Sequence, residues 1–307
     1  MDITIFIGGI SGGGAERVAC NLANYLQDRG NTVCLLTMSE TANSYGLHDN
    51  IKVKTLLREC ERSNKVIDNI KRYVRLKKYV KKYSDNTYIV FLPVTICMLL
   101  HFSGLISGSI IASERNDPNQ YSKIQRLLLK HYAKRADKWV FQTEDAKNWY
   151  NNIVNEVKII PNAINQEFIT LRLHKRQEDV YTIMAAGRLN KQKNFKLLID
   201  AFDKISTTHT NYILKILGKG PLEEELRLYA QSKSSCERIQ FCGYVDNMPQ
   251  QLANATLFIM SSDYEGMPNA LMEAMALGVP CISTDCPCGG PRYLIRDHYN
   301  GLSLIHI

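Results

Sequence analysis

The chain has 307 residues and a formal charge of +8, with 45% hydrophobic and 22% charged residues. This composition is typical of a soluble globular protein with one large or two ordinary domains, and it excludes a disordered or fibrous chain. No apolar run approaches the roughly 18 residues that a membrane-spanning helix needs, and the start lacks the basic flank of a secretory signal. The nine cysteines are scattered and odd in number, as in a reducing compartment, so we expect a cytoplasmic protein.

The first half of the chain alternates short apolar runs with helical patterns. After the first predicted strand, a glycine-rich loop leads into a helix from about Ala15 to Arg29, which Gly30 ends. This alternation is typical of parallel α/β sheets. The predicted strands are Ile3–Ile7, Val33–Thr37, Tyr88–Leu92, Ile110–Ala112, Trp139–Gln142 and Val157–Ile160.

Positive charge is concentrated in two segments of this half. Between Lys65 and Lys82, eight basic residues stand against one acid, Asp68, and apolar residues at helical spacing predict an amphipathic basic helix. A second basic segment runs from Lys123 to Lys138. Two interpretations stay open: a peripheral contact with the anionic inner face of the cytoplasmic membrane, or a solvated helix face. Nucleic acid is not an expected partner, because no nucleic-acid-binding motif is present.

The second half repeats the α/β pattern. The predicted strands are Tyr181–Ala186, Tyr212–Leu217, Ile239–Cys242, Leu257–Met260 and Val279–Ser283, and the helices are Phe195–Ile205, Leu222 to about Ser232 and Asn269–Leu277. We therefore predict a first domain over 1–165, a linker over 166–180 and a second domain over 181–301. Residues 302–307 resemble the translation of a sequencing adapter, which predicts a non-native tail on a truncated second domain; a genuine terminal strand is the alternative.

The most informative segment runs from Ser261 to Met275 and contains Glu265 and Glu273. It follows a predicted strand, at the edge where open α/β sheets bind ligands. Gly266 allows close backbone approach and Pro268 suits a first helical turn, so the amides around Met267, Asn269 and Ala270 form a helix N-terminus able to hold a phosphate. Two carboxylates would repel a phosphate. We therefore expect Glu265 and Glu273 to accept hydrogen bonds from hydroxyl groups next to it. A nucleotide-sugar, with its diphosphate between two polyols, fits this arrangement.

This segment resembles the Glu-x7-Glu motif of retaining GT-B glycosyltransferases of family GT4, in bacterial enzymes of capsule, O-antigen and lipid-linked oligosaccharide synthesis. The resemblance implies two Rossmann-like domains whose parallel sheets face a central cleft. It also implies transfer of a hexose or N-acetylhexosamine from a UDP-sugar to a lipid-linked saccharide acceptor, with retention of configuration and without a metal or other cofactor. Glu265 would contact hydroxyls of the donor sugar, and Glu273 would contact the ribose diol.

Three other glycine-containing loops support this interpretation. Gly187, Arg188 and Lys193 lie between a strand and a helix, and the two cations can neutralise a departing diphosphate. Gly13 and Gly14 resemble the family's Gly-Gly-Ala-Glu-Arg loop, and Gly243 resembles a loop near the nucleotide base. Pro161-Asn162 resembles the family's junction before the linker, for which we expect a structural role.

The acceptor side is less defined. After the predicted strand Ile110–Ala112, Arg115 stands where many relatives carry a catalytic histidine, with Glu114 beside it, and we nominate both for the acceptor or sugar site. His101 falls in an apolar run, which predicts a histidine packed in the core. Cys281, Cys286 and Cys288 cluster without the further ligands of a zinc site, so no metal is expected.

Two further functions remain as alternatives to sugar transfer: a GT-B sugar-nucleotide epimerase and a nucleotide-sugar-binding protein without catalysis. An NAD-dependent dehydrogenase is poorly supported, because Gly12-Gly13-Gly14 does not give the Gly-x-Gly-x-x-Gly pattern.

Overall fold

The computed structural model describes residues 2–10, 13–40, 46–171 and 180–305. It divides into two compact units, Met1–Pro161 and Asn162–Ile307. Each unit is built around one parallel sheet, as the strand-helix alternation predicts. None of the described helices is long and apolar enough to cross a bilayer.

The first unit contains a seven-stranded sheet in the order β3-β2-β1-β4-β5-β6-β7. Its strands are β1 Asp2–Ile7, β2 Thr32–Thr37, β3 Lys52–Thr55, β4 Thr87–Phe91, β5 Ile110–Ser113, β6 Lys138–Phe141 and β7 Glu156–Ile159. Its helices are α1 Gly14–Asp28, α2 Lys65–Lys82, α3 Pro93–His101, α4 Lys123–Tyr132 and α5 Glu144–Trp149.

Helices cover both faces of this sheet. Residues Ala19 and Ala23 of α1 pack with Ile5, which points to one face of β1. The neighbouring Thr4 points to the other face, where its hydroxyl lies 3.1 Å from that of Tyr79 in α2. Since right-handed crossovers put the helices between β3 and β7 on one side, α2 to α5 form a single layer opposite α1.

The second unit contains a six-stranded sheet in the order β10-β9-β8-β11-β12-β13. Its strands are β8 Tyr181–Ala186, β9 Tyr212–Leu217, β10 Ile239–Gly243, β11 Leu257–Met260, β12 Cys281–Asp285 and β13 Leu302–Ile305. Its helices are α6 Glu167–Thr170, α7 Phe195–Ser206, α8 Glu223–Gln231, α9 Met248–Ala253, α10 Asn269–Ala276 and α11 Gly290–Leu294. Alternate residues of β8 enter separate apolar clusters, Ile183 on one face and Met184 on the other.

The domain limits differ in detail from the predicted ones. The first unit ends at Pro161, and the beginning of the predicted linker forms α6, whose Phe168 is buried in the core of the second unit. Residues 172–179 of the predicted linker lie outside the described residues. Of the predicted tail, Leu302–Ile305 pairs in parallel with β12, while residues 306–307 lie outside the described part. The non-native origin of the tail stays a prediction.

The prediction for His101 is wrong. Its ring is exposed at the end of α3, and its two nitrogens lie 2.6 Å from the hydroxyl of Tyr73 and 2.8 Å from that of Tyr132. Because α3 is almost entirely buried and ends at this residue, an apolar run in the sequence does not imply a buried histidine. His101 instead connects α2 with α4.

Candidate donor site

Three loops meet at the carboxyl edge of the second sheet. They follow β8, β11 and β12, which are adjacent in the sheet order. In a parallel sheet the carboxyl ends of neighbouring strands lie together, and this is where open α/β sheets bind ligands. The predicted residues Gly187, Arg188 and Lys193 lie in the first loop, and Glu265 to Pro268 lie in the second.

Lys193 and Glu265 form an ion pair between two of these loops. The Lys193 ammonium lies 2.5 Å from an oxygen of Glu265, with the two side chains only 17% and 8% exposed. The sequence predicts a role for each residue separately: Lys193 would bind phosphate, and Glu265 would bind sugar hydroxyls. Their direct contact, across 72 positions in the chain, is a finding of the structure. It places the residue predicted to face phosphate beside the residue predicted to face sugar hydroxyls.

Two neutral side chains also hold the Glu265 carboxylate. The Ser262 hydroxyl donates a 2.7 Å hydrogen bond to the oxygen that pairs with Lys193. The Gln192 amide donates to the other oxygen at 3.5 Å and to the Tyr264 carbonyl at 2.9 Å. The sequence analysis missed both residues, because neither is charged and their contact with Glu265 depends on how the loops fold.

Backbone hydrogen bonds attach Glu265 to the loop after β12. Its amide donates to the carbonyl of Pro287, and its carbonyl accepts from the amide of Cys288 at 2.8 Å. Gly290 packs so closely behind this loop that a Cβ atom there would lie 1.7 Å from the Gly266 carbonyl oxygen. The loops after β11 and β12 are thus one closely packed structure.

The loops after β8 and β11 are linked in the same way. The Asp263 backbone amide donates to the Gln192 carbonyl at 2.8 Å, and the Asn194 side-chain amide donates to the Asp263 carboxylate at 2.7 Å. At Gly187, a Cβ atom would lie 2.9 Å from the Lys193 side chain, so glycine gives this lysine its path toward Glu265. Contacts within the protein alone therefore hold Lys193 in position.

Helix α10 begins directly after the Glu265 loop, as predicted. Gly266, Met267 and Pro268 are buried, while Asn269 and Ala270 are half-buried at the first turn. The N-cap residue, Pro268, makes no side-chain cap, and the first amides of α10 point out of the helix, where an anion could bind. Glu273 is buried about one turn further on.

Asn162 connects the start of the second unit to this helix. Its side-chain amide donates to the Met267 carbonyl at 3.3 Å and to the Asn269 side chain at 2.7 Å. A structural role was expected for the Pro161-Asn162 pair, and the structure identifies the contact through which Asn162 acts.

Two predicted residues lie at this edge without joining the ion pair. Arg188 is exposed at the start of the first loop, and we find no ion pair to it in the part of the chain that the structure describes. Gly243 ends β10 with φ near +67°, and its carbonyl accepts a 2.7 Å hydrogen bond from Gly218. Among the described residues, no cluster of three His, Cys, Asp or Glu side chains suits a metal ion.

In the first unit, Gly13 and Gly14 form the start of α1, with Gly13 at the N-cap position. Ser11 and Gly12 lie outside the described residues. The loop was predicted to follow a strand and to lead into a helix. The described residues show its helix end and not its middle.

Glu114 lies at the end of β5 and has no exposed surface. Its two oxygens accept hydrogen bonds from the hydroxyls of Tyr121 at 2.5 Å and Tyr150 at 2.6 Å. The amides of Arg115 and Asn116 donate to it as well, at 2.9 and 3.2 Å. Burial raises the pKa of Glu114, although these four donors favour the charged form. Glu114 therefore shapes the loop after β5, and its contact with an acceptor stays a prediction.

Arg115 follows in the same loop. Its guanidinium lies 5.0 Å from the centre of the Phe91 ring. Burial lowers the pKa of Arg115 to about 10, and the charge of Glu114 opposes that shift. The residue therefore remains a cation at neutral pH.

The second unit matches a known family. The profile described as "Glycosyl transferases group 1" matches residues 170–305. An uncharacterized glycosyltransferase of Methanocaldococcus jannaschii is 29% identical over 75% of this chain and 63% of its own length. The second relative is the GalNAc-α-(1→4)-GalNAc-α-(1→3)-diNAcBac-PP-undecaprenol α-1,4-N-acetyl-D-galactosaminyltransferase of Campylobacter jejuni. It is 27% identical over 98% of this chain and 84% of its own length.

The solved structure of Anabaena HepE in complex with UDP and glucose has the same fold. It superposes with a TM-score of 0.81 at 15% identity, covering 99% of this chain and 85% of that one. The predicted pair of Rossmann-like α/β units, the GT-B architecture, is therefore confirmed. Residues 170–305 thus match the group 1 glycosyltransferase profile, and the chain has the GT-B fold.

Proposed function

We propose that this protein transfers a sugar from a UDP-sugar to a lipid-linked saccharide, with retention of configuration, in the synthesis of a surface polysaccharide. The ion pair between Lys193 and Glu265 carries the proposal. In a nucleotide-sugar, the diphosphate and the sugar are joined through a single oxygen at the anomeric carbon. Groups that recognise the two parts must therefore be neighbours, as these two residues are.

The reaction breaks the bond between the anomeric carbon and the phosphate oxygen, and that oxygen leaves with the electron pair. Lys193, with Arg188 at the start of the same loop, would stabilise the negative charge that develops there. The amides at the start of α10 would hold the same diphosphate. No metal ion is part of this proposal.

Glu265 would accept hydrogen bonds from hydroxyls of the donor sugar and so orient the anomeric carbon. Glu273, buried one turn into α10, would do the same for the ribose diol. The acceptor hydroxyl then forms the new bond to the anomeric carbon. With retention, it enters on the face from which the phosphate oxygen leaves, so that oxygen can take the acceptor's proton.

The relatives support the two substrate classes. HepE was solved with UDP and glucose, and the name of the Campylobacter jejuni relative gives a saccharide on PP-undecaprenol as its acceptor. We extend both classes to this chain as part of the proposal.

The test is a screen of UDP-sugars by UDP release, with the full-length protein and a lipid-linked saccharide present or absent. We expect acceptor-dependent UDP release and a product that carries the sugar. Glu265→Gln and Lys193→Ala should each lower kcat by about 10²- to 10³-fold. The control is Lys204→Ala, since Lys204 is exposed on α7, and its rate should be unchanged.

Full transfer from every UDP-sugar by Glu265→Gln would show that the site assignment is wrong. Release of an altered free sugar would instead favour the epimerase, and donor binding without UDP release would favour a non-catalytic protein.

A further inference from the structure

Helix α2 has an apolar stripe that no other part of the described chain covers. Its buried side carries Leu76 and Val80. On the opposite side Val66, Ile70 and Val74 recur every four residues, and they are 57–68% exposed. Three aliphatic side chains in a row on the outer side of a helix contribute nothing to the core, so they need another explanation.

Six of the eight basic residues of α2 divide into two groups. Those nearer the buried side bind within the chain: Lys71 donates to the Glu61 carbonyl, Arg72 to the Met38 carbonyl, and Arg75 pairs with the Glu61 carboxylate at 2.6 Å. The second group, Lys77, Lys78 and Lys81, is exposed and continues the apolar stripe toward the helix end. Within residues 2–10, 13–40, 46–171 and 180–305, these three lysines make no ion pair.

Helix α4 repeats this combination. Its Ile124 and Leu127 are 71% and 69% exposed, next to the exposed Lys123 and Lys130. The two helices belong to one layer on the same face of the first sheet. His101 connects them, because its ring binds Tyr73 of α2 on one side and Tyr132 of α4 on the other.

We propose that this basic-apolar face, formed by Val66, Ile70, Val74, Lys77, Lys78 and Lys81 of α2 with Ile124 and Leu127 of α4, binds the surface of an anionic lipid bilayer. Aliphatic side chains on a helix enter the boundary between headgroups and acyl chains, and the neighbouring lysines are attracted to anionic headgroups. A nucleic acid fits less well, because the lysines alternate with aliphatic groups that neither stack on bases nor bind phosphate. A second copy is disfavoured by the like charge of two basic faces.

The test is co-sedimentation with vesicles of phosphatidylglycerol and phosphatidylcholine, compared with phosphatidylcholine alone, at about 0.1 M salt. The full chain is used without any nucleotide-sugar, so the result does not depend on the proposed sugar transfer. We expect binding to the anionic vesicles that is at least about tenfold stronger than to the neutral ones. The double variant Lys77→Glu/Lys81→Glu should lose at least about tenfold in affinity, and Val66→Ser/Ile70→Ser/Val74→Ser a similar amount.

The matched control is Lys158→Glu/Lys204→Glu, which makes the same change in net charge at exposed lysines outside this face. It should keep most of the binding. Equal loss in the control, or equal binding of the unaltered protein to both kinds of vesicle, would overturn the proposal. So would a dimer in light scattering that the apolar variant abolishes. If the triple variant does not fold, the single change Val74→Ser and the comparison of the two vesicle types still decide the question.

Discussion

The Ser262 hydroxyl donates its hydrogen bond to the same Glu265 oxygen that pairs with Lys193. Ser262 is completely buried, and its carbonyl accepts a 2.6 Å hydrogen bond from the Thr284 hydroxyl on β12. The loop after β11 and strand β12 thus support one carboxylate. Because Ser262 has no exposed surface, we expect it to act by holding Glu265 in place.

Ser262→Ala should lower the rate of sugar transfer about tenfold, because one hydrogen bond to a charged group is lost. The effect should appear in kcat more than in KM for the acceptor. In the Glu265→Gln background the same substitution should have little further effect, since the two residues act as a unit. Steady-state kinetics of the four proteins measure this coupling. Ser232→Ala, on the exposed end of α8, is the control, and additive losses would contradict the positioning role.

Gly290→Ala should destabilise the second unit by about 1–3 kcal/mol or more, because the new methyl group would meet the Gly266 carbonyl. Gly104→Ala is a suitable control, since a Cβ atom there meets nothing within 4 Å. Both tryptophans, Trp139 and Trp149, lie in the first unit. Urea unfolding followed by circular dichroism should therefore show the loss, while tryptophan fluorescence should not. An unchanged circular dichroism transition would mean that the backbone relaxes without cost.

Glu114 should make the first unit less stable as the pH rises. Burial raises its pKa in the folded state above the ordinary value of 4.5, so the folded chain holds this proton more tightly than the unfolded chain. Stability from this residue is present below pH 4.5 and is lost as the pH rises through the folded-state pKa. Glu114→Gln does not titrate. Its stability deficit relative to the unaltered protein should therefore shrink with increasing pH.

Urea unfolding followed by tryptophan fluorescence, between pH 4.5 and 8, measures this difference in the first unit. Glu144→Gln is the control, because Glu144 is exposed on α5. A deficit that stays constant over the whole range would show that Glu114 has no raised pKa.

Asn162→Ala should weaken UDP binding several-fold and destabilise the second unit by about 1–2 kcal/mol, since the start of α10 loses two hydrogen bonds. Calorimetric titration with UDP measures the binding. Asn155→Ala is the control, because Asn155 is exposed in the first unit. If Asn162→Ala bound UDP as tightly as the unaltered protein, the bonds to Met267 and Asn269 would not help to form the site.

Much of the fold could be predicted because buried parallel strands are short apolar runs between glycines and helices. Tyr181–Ala186, Tyr212–Leu217 and Leu257–Met260 have the predicted bounds. The strand β3 was missed because lysine occupies every second position of Lys52–Thr55. This strand lies at the edge of the sheet and has no apolar run. Helix α3 was missed because it is apolar on all sides and shows no helical period. The predicted strand at Val279 begins later, at Cys281, since Pro280 has no amide to give to the sheet.

The candidate site was predicted as residue types and not as contacts. Glu265 and Lys193 stand out because charged residues beside glycine at strand ends are typical of ligand sites. Ser262, Gln192 and Asn162 could not be singled out, because their roles depend on which loops become neighbours. Sheet order decides that, and a single sequence does not reveal that β8, β11 and β12 are adjacent.

The two backbone hydrogen bonds between Glu265 and the Pro287–Cys288 segment have a consequence for protein engineering. They pair Glu265 with one fixed position in the other loop. An insertion or deletion in either loop would therefore shift this pairing and displace Glu265. Exchanging one loop with that of a relative should fail where exchanging both together succeeds. Sequence variation that changes the preferred sugar should therefore consist of substitutions at constant loop length, and a library built for that purpose should vary the two loops jointly.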